Sequence, residues 1–303
     1  MSRPWLAYAL ATVVLWGVWG ALSGLSAQHH FPDTLVYCVW ALTMIPPALV
    51  VLAQRGWRLD VAPRAVLQGM AVGVLGAGGQ MVLFYALVRG PAYLIFPIVS
   101  LSPVVTIALS AALMGERTGR LGLVGIVLAL LALPLFDYAP GGAIGSETGW
   151  LVPALLVMLF WGVQATFMKS ANLVMSAESI FFYMMLSGLL IIPVALAMTD
   201  FHQTIETGLR GPVLAAGIQL LNAIGALTLV FAFRHGKAII VAPLANAGAP
   251  LITACLSLPL AGAIPGIFKI VGIALALTAS LLLAIEPDAS DDSLVMPRSA
   301  SEV

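Results

Sequence analysis

The chain has 303 residues, 61% hydrophobic and only 9% charged, with 13 Lys+Arg balanced by 13 Asp+Glu. Soluble domains carry roughly a quarter charged residues, so this composition, with a mean hydropathy of +1.06, excludes an ordinary soluble domain. Zero net charge also excludes a basic nucleic-acid binder and an acidic disordered chain, leaving a polytopic membrane protein. Cys38 and Cys255 both lie in apolar runs and supply neither a disulfide framework nor a CxxC zinc pair. No metal or other cofactor is expected.

A membrane-spanning helix needs about 20 apolar residues, and ten such runs follow one another along the chain. Their approximate limits are 5–26, 34–53, 65–88, 92–114, 121–136, 150–169, 178–198, 212–233, 238–260 and 266–285. The first run is too long for a signal peptide, carries Trp5, Trp16 and Trp19, and has a later counterpart, so it counts as a span. The connections are short, and residues 286–303 read as an acidic, Ser-rich, disordered cytoplasmic tail. With the N-terminus inside, ten of the 13 Lys and Arg fall in cytoplasmic segments and three (Arg89, Arg210 and Lys269) outside. This bias places both termini in the cytoplasm.

The runs repeat. "VGIVLAL" at Val124 to Leu130 recurs as "VGIALAL" at Val271 to Leu277, and "WGV" at Trp16 recurs at Trp161. "MIPPAL" from Met44 is echoed by "IIPVAL" from Ile191, and "RGPAYLIFP" ending at Pro97 by "HGKAIIVAP" ending at Pro243. The offsets lie between 145 and 147 residues, dividing the chain into repeats at 1–145 and 146–285. Five spans per repeat is an odd number, so the second repeat must be inverted, a recurring plan of secondary transporters with the site near midplane.

The Trp-Gly of the first and sixth runs, the Pro-rich fourth and ninth runs, and the Gly-Glu-Arg closing the fourth resemble the drug/metabolite transporter superfamily. The ten-span EamA-type branch is the most similar, from about Trp5 to Ile285. The resemblance implies an all-α exporter of amino acids or other metabolites; its cousins carry nucleotide sugars, sugar phosphates or choline. Glu116 has no counterpart in the second repeat, which favours a cytoplasmic-surface role for it.

Centring each run in the bilayer brings a set of polar and aromatic residues to midplane. Trp16 and Trp19 share one helical face, and Trp161 and Gln164 hold the equivalent positions. Gln80, Gln219, Asn222 and Asn246 lie at the same level, with Ser100 beside them. Each amide has a donor and an acceptor. They serve either as interhelical hydrogen bonds or as partners for a polar, uncharged ligand. Thr253 and Ser257, with Thr106 and Ser110, read as bonded to their own helices. Pro97, Pro103, Pro243 and Pro250 each free a backbone carbonyl and mark the fourth and ninth runs as bent, cavity-shaping helices. Trp5, Trp57 and Trp150 read as interfacial anchors, and Trp40 fits either location.

No Asp, Glu or His falls near the middle of a run, which argues against an intramembrane carboxylate as proton carrier. The same absence removes the catalytic sets of intramembrane enzymes, so no enzyme is expected. Arg89, Lys169 and Arg234 stand at run ends, either as candidate gate charges for an anion or as snorkelling side chains. The expectation is a secondary transporter, in a bacterial inner membrane, for a small neutral or zwitterionic solute, amino-acid-like as a first guess. A small organic anion held by those three cations is the alternative, and a non-transporting receptor or scaffold a further one. The partners expected are the solute and the lipid bilayer, without nucleic acid; the sequence leaves the oligomeric state open.

Overall fold

A computed structural model describes residues 4–102, 119–137, 149–171, 174–235, 238–262 and 265–285, with residues 104, 105, 108, 109 and 112. The described residues contain α-helices and one π-helical turn and no strand. The helices are α1 (Pro4–Leu22), α2 (Leu25–Gln28), α3 (Asp33–Thr43), α4 (Ile45–Gln54), α5 (Pro63–Leu87) and α6 (Ala92–Val99). There follow α7 (Arg120–Asp137), α8 (Leu151–Ala171), α9 (Ala177–Met198), α10 (Leu214–His235), α11 (Ala238–Ala261) and α12 (Ile267–Ile285). Helix falls on every one of the ten apolar runs. Six described helices are long and apolar enough to cross a membrane, and three more are shorter and apolar. Residues 286–303, Pro103, Thr106, Ser110 and Glu116 lie outside the described residues, as do the side chains of Lys169, Arg234, Pro243 and Asn246.

Three runs are interrupted. The first pauses at Ser23–Gly24 between α1 and α2, and the second breaks at Met44, because Pro46 and Pro47 open a fresh helix at its first turn. In the fourth run α6 passes through Pro97 and ends at Val99. The chain turns at Ser100–Leu101, and helix is found again at Ser102. The ninth run behaves differently: α11 is assigned as one helix through both Pro243 and Pro250.

Polarity is arranged as lipid demands. Leu67, Leu130, Val152 and Leu190 are exposed on the outside, whereas Thr12, Gln80, Gln164, Ser187, Gln219 and Thr253 are buried within. The chain is an integral membrane protein. Hydrocarbon offers no gain for apolar side chains that leave it, so close packing and interhelical hydrogen bonds must hold such a bundle together.

That packing exchanges the repeats. Helix α1 lies against α10 and α11, while α8, its counterpart, lies against α5 and α6. Helix α7 packs on α12, and α3 on α9. The Trp-Gly pairs make the crossings. A Cβ on Gly17 would come within 3.2 Å of the Ala249 carbonyl oxygen, and one on Gly162 within 2.7 Å of that of Ser102. A Cβ on Gly225 would overlap the Trp16 indole, as one on Gly79 would overlap that of Trp161. The indoles then reach backbone: Trp16 Nε1 donates to Asn222 O at 3.1 Å, and Trp161 Nε1 to Gly76 O at 3.4 Å. These are the same contact twice, one repeat apart.

Helix α5 meets α9 equally closely, and a Cβ on Gly73 would sit 2.6 Å from the Tyr183 carbonyl oxygen. Backbone cannot yield as a flexible side chain can, so Gly73→Ala is expected to cost roughly 1–3 kcal/mol. Thermal unfolding in detergent should show the loss, while Gly78→Ala, with nothing within 4 Å of the new carbon, leaves the midpoint in place. Equal midpoints for the two variants would remove α5–α9 contact from the forces that hold the bundle.

Candidate functional site

Four of the tryptophan and amide residues come together where α1, α3 and α10 meet: Trp16, Trp19, Gln219 and Asn222. Gln219 and Asn222 are three apart and so share a face of α10. Trp19 Nε1 donates to Gln219 Oε1 at 2.8 Å, and Trp40 Nε1 to Asn222 Oδ1 at 3.1 Å. With the Trp16 bond to Asn222 O, three indoles converge on one turn of α10. Phe96 of α6 closes the group, its ring meeting that of Trp19 edge-on at 5.6 Å. Trp19 is 4% exposed and Gln219 fully buried.

A shallow, half-open cleft lies at one end of the bundle, lined by Ser23, Ala27, Asp33, Val36, Phe84 and Leu87 among others. Its walls are the ends of α1 and α5 and the start of α3. Residues four apart stack on one helical face, so one turn deeper than Ser23, Val36 and Phe84 stand Trp19, Trp40 and Gln80. The indole–amide cluster therefore stands one helical turn beneath the residues that line the cleft. Gln80 is 4% exposed, and its Nε2, like that of Gln219, meets no hydrogen-bond partner. An unsatisfied buried amide costs about 1–3 kcal/mol; Gln68 Oε1 is the other amide atom left without a partner among the described residues, and it is an acceptor.

Other expected site residues are placed differently. Gln164 is buried against Gly76, where a Cβ would overlap its Nε2, beside Trp161 on α8. Ser100 Oγ donates to Pro97 O of its own chain segment at 2.7 Å. Arg89 folds back on α5, its guanidinium 3.3 Å from the Tyr85 ring centre and bonded to Tyr85 O. Pro250 is half-buried on α11. Thr253 was expected to bond within its own helix; it crosses instead to Gly17 O at 3.0 Å, the carbonyl that the Gly17 contact brings near. Trp150 is not at an exposed interface but 4% exposed, seated where Gly90 leaves room.

The sequence pattern of the EamA-like transporter family matches residues 3–136 and again residues 148–285. The chain belongs to the EamA-like transporter family. A solved structure described as "Crystal structure of protein" is similar in fold, with a TM-score of 0.63 over 93% of this chain and 98% of that one, at 18% identity. No curated protein matches.

Sequence reasoning missed two features of this EamA-like chain. Trp40 was left undecided, although it holds the Asn222 amide. The second is a polar clamp between the α4–α5 turn and the start of α9. Asp60 accepts from Arg55 Nη1 (2.9 Å), Ser176 N (2.9 Å), Ser176 Oγ (2.8 Å) and Ser179 Oγ (2.9 Å). Tyr183 donates to the Asp60 carbonyl oxygen at 2.8 Å, and Arg55 also reaches both serine hydroxyls. Gly56 and Trp57, at φ +69° and +59°, turn the chain back so that Arg55 and Asp60 meet. A Ser-x-x-Ser at a helix start signals an N-cap, and Ser176 does accept from Ser179 N; its tie to Asp60 is not legible in the pattern.

The Arg55 guanidinium and then the Ser176 N–H hold the Asp60 carboxyl well below the usual carboxylate range. A depressed folded value stabilises the fold above the unfolded carboxylate pKa, about 3.9, and that contribution is lost only as pH falls below it. Asp60→Asn is therefore expected to lower stability by about 1–3 kcal/mol, with the deficit constant between pH 5 and 8. Unfolding midpoints across that window test it; a deficit that shrinks by pH 5 would show that Asp60 titrates higher.

Proposed function

We propose that the protein is a ten-span secondary carrier with both termini cytoplasmic, in a bacterial inner membrane. It moves a small neutral or zwitterionic organic solute, amino-acid-like as a first guess, by alternating access. The observation that carries this reading is the exchanged packing of the two repeats, in which each Trp-Gly helix crosses the third and fourth spans of the other. Such pseudo-symmetry about a central site gives one arrangement of contacts two related versions, open to either face. The Lys and Arg bias supports the orientation, and the indole–amide cluster beneath the cleft supplies the place where the solute rests.

The two ends of the bundle differ in chemistry. At the clamped end Asp60 and Arg55 tie the α4–α5 turn to α9. At the cleft end neutral bonds do the equivalent work: Thr34 Oγ1 lies 2.7 Å from Thr199 Oγ1, and Glu206 N donates to His30 O at 3.2 Å. Glu206 stands 146 residues after Asp60, at the equivalent position, but bonds only locally through its carboxylate, to Gly208 N. On this topology the clamped end faces the cytoplasm and the cleft faces outward.

Solute counterflow in proteoliposomes tests the proposal, because exchange needs no coupling ion. Pools of amino acids, nucleobases, sugars and organic anions would be loaded in turn. Exchange of a neutral or zwitterionic pool is expected, and Asn222→Leu, which leaves Trp40 without its acceptor, should reduce it at least tenfold in protein that remains monodisperse. Full activity in that variant would displace the site from α10. Exchange confined to anions would replace the solute class, and silence from every pool would overturn the carrier.

A further inference from the structure

The amides of the central cluster are not free to present either end. An indole N–H donates and cannot accept. Trp19 Nε1 lies 2.8 Å from one terminal atom of Gln219, so that atom must be the oxygen, and the nitrogen must point the other way. Trp40 imposes the same choice on Asn222 by occupying Oδ1. Trp16 takes up the Asn222 backbone oxygen as well. Each of these three acceptors is therefore engaged by an indole, and the ends left over are N–H donors.

One of those donors, Nε2 of Gln219, on a side chain with no exposed surface, is buried with nothing to donate to, and so is Nε2 of Gln80, on a side chain that is 4% exposed. They come from opposite repeats. Gln80 lies one turn below Phe84, and Trp19, which holds Gln219, lies one turn below Ser23; both Phe84 and Ser23 line the cleft. Helices α1, α5 and α10 carry no Asp or Glu, and Asp33, at the start of α3, lines the cleft. Rings stand on the Gln219 side: Trp19 bonds it, Phe96 meets Trp19 edge-on, and Trp40 bonds Asn222 one turn along.

We infer that the central site selects its solute by an acceptor oxygen, a carboxylate or a carbonyl, held by Nε2 of Gln219 and of Gln80 against an aromatic wall. An ammonium group meets ring faces there but no carboxylate and no wholly free acceptor, so the oxygen is the better matched group. Gln219 is then a specificity-determining residue whose sense is set by Trp19. The inference rests on the carrier reading for the location of the site and adds the chemistry that the site accepts.

The test is binding to the purified full-length protein in detergent, read by quenching of intrinsic tryptophan fluorescence and by thermal shift. The probes are phenylacetate, phenylacetamide and phenethylamine, which share one ring and differ in the group presented. At least one oxygen-bearing probe is expected to bind about tenfold or more tightly than the amine, a difference of about 1.4 kcal/mol. Phenylacetate alone would assign a carboxylate; equal binding of the amide would assign a neutral carbonyl. Gln219→Glu keeps an oxygen for Trp19 and exchanges the free donor for an anionic acceptor, so it should reverse the order in favour of the amine. Gln80→Glu should reverse it likewise if the first variant does not fold.

Amine binding that equals that of both oxygen probes in the unmodified protein would overturn the inference. So would failure of both oxygen probes to bind, or an unchanged order in a monodisperse Gln219→Glu or Gln80→Glu protein. Because binding is read without flux, the expected order together with silent counterflow would remove the carrier and keep the site. Counterflow confined to amines would do the opposite.

Discussion

Close approach of helix backbones at the two Trp-Gly crossings is the constraint on which the rest of the structure depends. With 9% charged residues, the chain has few ionic ties, and apolar side chains gain nothing by leaving lipid for protein. What remains is dispersion at short range and hydrogen bonding across helices. Gly17 and Gly162 let backbone meet backbone, and Gly225 and Gly79 let an indole lie flat enough for its N–H to find a carbonyl. Enlarging any of these four glycines would separate helices from opposite repeats, and the indoles would lose their acceptors together. The tryptophans are in this sense structural before they are anything else. Trp16 frames the central cluster because the crossing has already placed it there.

The same constraint explains why the polar groups that remain are specialised. In a soluble protein a spare amide donor turns to water. Here the lipid-facing surface is apolar and the donors of Gln80 and Gln219 are turned inward. Such groups weaken the fold unless something offsets them, and an interior of Leu, Val and Ala at these positions would pack with no such penalty. A site that passes a polar solute through hydrocarbon needs groups that are unsatisfied when the solute is away. In the proposed carrier the cost to stability and the capacity to bind would be one property.

Hydropathy made the helices legible, because ten apolar runs separated by short polar turns admit few other arrangements, and helix is found on all ten. The repeat was legible too, since Trp, Gly and Pro recur in order across 145 to 147 residues. The break before Pro46–Pro47 could have been read from the two prolines, although the recurrence of the motif drew attention away from its effect on the backbone. Partners across helices were not legible. Sequence places Asn222 at the middle of a run and leaves the level of Trp40 open, and which face of α3 looks at α10 depends on helix rotation within the bundle, which a period of 3.6 residues does not determine. For the same reason Thr253 was assigned to its own helix when the gap beside Gly17 drew it across. Asp60 reads as an ordinary loop acid until the turn at Gly56–Trp57 delivers it to Ser176 and Ser179, more than a hundred residues away.

The ends of the bundle show how a repeated chain acquires a direction. Symmetry alone would make both faces alike, as the paired crossings nearly do. Asp60 and Glu206 occupy equivalent positions, yet only Asp60 has an arginine beside it and two hydroxyls across from it; the residue equivalent to Arg55 is Phe201. A carboxylate with a cation and several donors gives up much when parted from them, since charge-assisted hydrogen bonds are about twice as strong as neutral ones. The Thr34–Thr199 contact at the other end gives up little. The cleft opens beside that weaker contact, at Asp33. In the proposed carrier, a handful of polar substitutions at the rims would decide which face yields more readily, while Trp16 and Trp161 make the same bond one repeat apart and stay common to both halves.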